Sequence, residues 1–106
     1  MNRKTKAKYE ARAAIIKALA HPTRLFIVDH LAKEKTCVCI LSKMVGADMS
    51  TVSRHLSILK SVGIIEDEKV GPQVFYHLKV PCVLNFFGCV EAVMKSNAEA
   101  QMELVR

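Results

Sequence analysis

A mainly α-helical domain carrying one β-hairpin is predicted by three observations on this 106-residue chain. Apolar residues recur at helical spacing in two adjacent segments, a glycine break separates those segments, and alternating apolar residues flank a Gly-Pro turn just beyond them. Val38, Leu41 and Val45 share one helix face, Gly46 and Asp48 interrupt the pattern, and Val52, Leu56 and Leu59 resume it. The segment from Val38 to Val62 therefore reads as a helix, a tight turn and a second helix. Gly63 ends the second helix, Ile64 to Val70 reads as a strand, Gly71-Pro72-Gln73 as a turn, and Val74 to Leu78 as the returning strand. A hairpin placed after such a helix pair is a wing, so the predicted fold is a winged helix-turn-helix with about five helices and two strands.

The remaining elements follow from the flanking patterns. Helices are expected from about Lys6 to Leu19, from Pro22 to Ala32 and from about Pro81 to Asn97, with residues 1–10 a basic tail and 98–106 a frayed C-terminus. Pro22 suits the first position of a helix and disfavours helix at His21 before it. One domain accounts for the whole length, and a domain this small gains buried surface by pairing with a second copy.

The second helix of the pair carries the functional argument. With Val52, Leu56 and Leu59 turned inward, Ser50, Thr51, Ser53, Arg54, His55, Ser57 and Lys60 lie on or near the opposite side. Short hydroxyls, bases and an imidazole, with no carboxylate among them, suit phosphate oxygens and base edges. Ser50 and Thr51 fall in the first turn, where free N–H groups and the helix dipole favour a phosphate. An ordinary polar face with a Ser/Thr cap has the same composition, and the wing that follows decides for DNA. Lys69 and Gln73 sit at or beside the wing tip, within reach of a phosphate or a minor groove. A net charge of +6 from 16 Lys plus Arg agrees with a polyanionic partner, although Arg3, Lys4, Lys6 and Lys8 supply much of it.

Four cysteines are present, and Cys37 and Cys39 stand at the start of the first helix of the pair. The first twenty residues lack an apolar signal core, and Val80 to Val90 is too short to span a bilayer, so a cytoplasmic protein with reduced thiols is expected. Thiolates favour soft ions, and a helix start lowers a thiol pKa, so Cys37 and Cys39 are candidate ligands. Residues at i and i+2 do not share a face of a regular helix, so joint ligation is expected to require a first turn that is irregular or unwinds on binding. Cys82 and Cys89 are seven residues apart on the last helix, about 10 Å along its axis. They compete as further ligands, form a separate thiol site across a dimer, or pack as small hydrophobes among Val83, Phe86, Phe87, Val90 and Val93. Catalysis is not expected, for there is no Gly-rich phosphate loop and no room for a substrate cleft.

Four ordered motifs carry a family resemblance over roughly Ala13 to Lys95. These are Ala18 to Leu25 with its central His21-Pro22-Thr23-Arg24, Cys37-Val38-Cys39 followed by Leu41, Ser50-Thr51-Val52-Ser53-Arg54-His55-Leu56, and the wing ending Val74-Phe75-Tyr76-His77-Leu78. Together they resemble the ArsR/SmtB family of metal-responsive repressors. The resemblance implies a homodimer joined through the first and last helices, which holds double-stranded operator DNA when metal-free and releases it when an inducer binds. The Cys-Val-Cys pair is similar to the arsenic and antimony branch, which implies trivalent arsenic or antimony as inducer. Some members of that branch carry a third cysteine where this chain has Ser42, so a third thiol would come from Cys82 or, at the expected interface, Cys89. The last helix has Glu91 but no histidine, which argues against a zinc site there. The alternative is a repressor of the same fold that responds to oxidants or sulfur species through a cysteine disulfide or polysulfide, as some family members do.

Overall fold

The computed structural model describes all 106 residues, in the order α1 (Arg3–Leu19), α2 (Pro22–Leu31), β1 (Thr36–Cys37), α3 (Val38–Val45), α4 (Met49–Ser61), β2 (Ile65–Val70), β3 (Gln73–Leu78) and α5 (Val83–Glu103). Pro22 opens α2 as expected, and the His21 side chain caps it by accepting the Thr23 N–H at 3.1 Å. Gly46 closes α3 with φ of 78°, a left-handed conformation that lets the chain reverse into α4 within three residues. Asp48 caps α4 by accepting the Thr51 N–H at 2.7 Å.

The wing lies in a three-stranded antiparallel sheet of order β1-β3-β2. Two strands were expected; the third, β1, pairs Thr36 with Tyr76 and Cys37 with Phe75. The expected turn shortens as well. Gln73 pairs with Val70 and belongs to β3, leaving Gly71-Pro72 as a two-residue tip with Gly71 at φ 60°.

One core holds these elements together. Leu19 of α1, Ile27, Val28 and Leu31 of α2, Leu41 of α3, Val52, Leu56 and Leu59 of α4, and Ile64 and Ile65 entering β2 form a single buried cluster. The apolar stripes read from the sequence at Leu41, Val52, Leu56 and Leu59 are thus the seat of the helix pair.

Both ends of the chain depart from expectation. The basic segment read as a tail is helical from Arg3, with the Asn2 side chain accepting the Thr5 N–H at 2.8 Å. At the other end α5 continues past Asn97 to Glu103 and buries no residue at all. Val83 and Phe87 lean on the core, whereas Phe86, Val90, Val93 and Met94 are exposed. The radius of gyration, 16.9 Å, exceeds the value of about 13 Å for a compact chain of this length because α1 and α5 reach outward. No helix is long and apolar enough to cross a membrane.

Candidate nucleic-acid interface and thiol site

The exposed side of α4 retains most of the expected polar face, but several of its groups already have partners. Ser50 Oγ donates to Asp48 Oδ1 at 2.9 Å, and the same oxygen takes the Thr51 N–H. A carboxylate therefore stands where a phosphate was expected at the first turn. Hydrogen bonds from Thr51, then Ser50, hold the Asp48 carboxyl below the usual carboxylate range. Ser53 and Thr51 are half-exposed, Arg54 and Ser57 exposed.

Lys60, expected as a DNA contact, is bonded to Asp67 of the wing at 2.9 Å, and this bond raises its pKa. The neighbouring wing carboxylates are matched in the same way: Glu66 meets Lys79 at 3.8 Å and Glu68 meets Lys35 at 3.5 Å. A wing with three acidic residues in succession thus presents little uncompensated negative charge to a polyanion. Arg54 and Lys69 take part in none of the protein's ion pairs and remain the available cations of the helix and the wing.

His55 was expected on the DNA side, and the structure turns it inward. Its Nδ1 accepts the Arg24 Nε–H at 3.1 Å, and its ring lies 4.5 Å from that of His21. The spacing of α4 alone does not reveal this, because both partners come from the start of α2, thirty residues earlier. His30 of α2 is half-buried, with Nε2 3.0 Å from Thr36 Oγ1.

At the other end of the helix pair the two thiols meet. Cys37 Sγ lies 2.8 Å from Cys39 Sγ, so the pair comes together with α3 regular. The expected unwinding is unnecessary because Cys37 is outside the helix: it ends β1 as the extended cap residue, and Cys39 is the second residue of α3. Cys37 is buried and Cys39 half-buried. The hydrogen bond from Cys39, with lesser help from the amides of Ile40 and Cys39, lowers the Cys37 pKa against the effect of burial. The Cys39 pKa is raised chiefly by the same bond. The contact makes Cys37 the more acidic thiol of the pair.

The donor set stops at two. Cys82 and Cys89 are exposed on α5, Cys82 as its cap residue, and no group of three His, Cys, Asp or Glu side chains converges within the chain. One turn beyond Cys39, at the position that would complete a Cys triad, Ser42 is buried with its hydroxyl unpartnered. Two soft sulfurs suit a thiophilic ion, and an ion that takes three would draw its third sulfur, if there is one, from outside this cluster.

Comparison with known proteins agrees with this architecture. Residues 21–67 match the family described as bacterial regulatory protein, arsR family. An uncharacterised helix-turn-helix transcriptional regulator of Methanocaldococcus jannaschii is 42% identical over 72 residues, 67% of this chain and 81% of that one. The cadmium resistance transcriptional regulatory protein CadC of Listeria innocua is 35% identical over 74 residues, 69% of this chain and 62% of CadC. Among solved structures, the homodimeric winged helix-turn-helix DNA-binding domain of a possible ArsR-family regulator from Mycobacterium bovis superposes with a TM-score of 0.79 at 29% identity, covering 94% of this chain and 93% of that one. With the helix pair, the wing and the matched family segment in agreement, this chain belongs to the ArsR/SmtB family of winged-helix DNA-binding transcriptional regulators and is not an enzyme.

Proposed function

We propose that this regulator is a homodimeric repressor that holds operator DNA through α4 and the wing and releases it when trivalent arsenic or antimony takes the thiolates of Cys37 and Cys39. The observation that carries the reading is the 2.8 Å approach of the two sulfurs at the start of the helix pair. Soft thiolates select soft, thiophilic ions over hard ones, and the lowered Cys37 pKa makes that sulfur the easier of the two to deprotonate. The name of CadC attaches cadmium to a relative. The third thiol comes from α5, with Cys89 favoured over Cys82 because its mid-helix position lies on the face left for a partner.

That face supports the dimer. Ile15 and Ile16 of α1 and Phe86, Val90, Val93 and Met94 of α5 are exposed, and an apolar cavity of about 360 Å³ opens between α1, α2 and α5. Apolar surface of this extent is characteristic of a contact between subunits. In the DNA-bound state Thr51, Ser53, Arg54 and Ser57 face the major groove, and Lys69 and Gln73 carry the wing contact.

An operator duplex selected from a random library tests both halves by fluorescence anisotropy under reducing conditions, with arsenite, antimonite, cadmium and zinc added in parallel. Release by arsenite or antimonite alone is the expected outcome. Release only by an oxidant or polysulfide in a reductant-free arm would replace the metalloid reading with a redox switch. Arg54→Ala is expected to weaken operator binding by about 1–3 kcal/mol while leaving arsenite binding intact, and equal DNA affinity would remove Arg54 from the contacts.

A further inference from the structure

The His21-Pro22-Thr23-Arg24 motif has no part in the thiol chemistry, and His55 has left the DNA face. Both meet behind α4. Arg24 donates from Nε to His55 Nδ1 at 3.1 Å and from Nη1 to the Ala18 carbonyl of α1 at 3.2 Å. The His55 ring rests against that of His21, which the cap bond to Thr23 N–H holds in place. Three elements are thereby joined: the end of α1, the start of α2 and the middle of the reading helix.

We propose that Arg24 and His55 form a strut that sets α4 against the α1–α2 corner, and that protonation of His55 breaks it, so that operator DNA is released in mildly acidic solution. A guanidinium can only donate, so its bond to Nδ1 requires a lone pair there and places the imidazole proton on Nε2. A second proton would set N–H against N–H and charge against charge. The groups facing the ring offer no relief. His21 and Arg24 bear on it from the start of α2 and Arg54 from its own helix, while α1 contributes the Ala18 carbonyl, which Arg24 already occupies.

Burial first, then the neighbouring His21, Arg24 and Arg54, hold the His55 pKa below its ordinary value. The folded arrangement therefore favours the neutral ring. Its contribution is complete above about pH 6.5, the ordinary histidine value, and is lost as pH falls through the lowered value. The inference rests on α4 being the reading helix and is independent of the metalloid.

The test compares operator affinity at about pH 7.5 and pH 5.5, without metalloid, for wild type and His55→Gln, whose amide oxygen can accept from Arg24 and does not titrate. Wild type is expected to lose roughly tenfold more affinity across the interval than His55→Gln. Equal losses, or none in wild type, overturn the proposal. Imidazole ¹⁵N titration gives an answer without DNA: Nδ1 is expected unprotonated at neutral pH, and Arg24→Gln is expected to raise the His55 midpoint. An unchanged midpoint, or a proton on Nδ1, also overturns it. Failure of the reading-helix assignment looks different, because wild type and Arg54→Ala would then bind the operator equally at neutral pH.

Discussion

Truncating Leu56 to alanine is expected to destabilise the protein by about 3 kcal/mol, within the range of roughly 2–5 for a fully buried leucine. Leu56 has no exposed surface and belongs to the cluster shared by α1, α2, α3, α4 and the start of β2. Its removal leaves a cavity where the inward stripe of α4 meets the other helices, and neighbours already packed on every side can close it only in part. Urea unfolding at one fixed protein concentration measures the loss, since association shifts apparent stability. The neighbouring exposed Ser57→Ala is the control, expected within about 0.5 kcal/mol. A Leu56→Ala cost below about 1 kcal/mol would mean that α4 is not seated by this stripe.

Replacing Cys37 or Cys39 with serine is expected to leave metalloid-free operator binding within about twofold and to raise the arsenite concentration needed for release by more than the roughly 10–100-fold that loss of a supporting partner costs a metal site. Neither sulfur belongs to the reading face, and on the proposed function both hold one ion at the place where they meet. A hydroxyl is neutral and hard where a soft thiolate is wanted. Release titrations on the two variants, with intact protein mass spectrometry to count bound arsenic, make the comparison. Normal release by both would move sensing to Cys82 and Cys89 on α5.

The helix pair and the wing were legible because their information is local. The stripe Val52, Leu56, Leu59 and the breaks at Gly46 and Gly63 fix helix, turn and face together, and all three leucine and valine positions are buried. What escaped depends on residues distant in the chain. β1 is too short to show an alternation, and it exists because β3 pairs with it forty residues later. The meeting of Cys37 with Cys39 depends on that strand, since it keeps Cys37 out of α3. His55 has a surface position in the helical pattern, and only Arg24 and His21 draw it inward. The ends were misjudged for another reason. Lys and Arg are good helix formers even where no apolar stripe accompanies them, and Asn2 supplies the cap, so α1 begins among its charges. Ala98, Glu99, Ala100, Gln101 and Met102 are equally good helix formers, which is why α5 runs on to Glu103.

A lone hairpin hinges at its base, but β3 is the middle strand of this sheet, paired on one side with a residue that also caps α3. Cys37 is therefore a common footing for the wing and the helix pair. On the proposed function, a displacement of its backbone would reach both arms of the DNA grip together, so that release of the operator is expected to be all-or-none and not arm by arm.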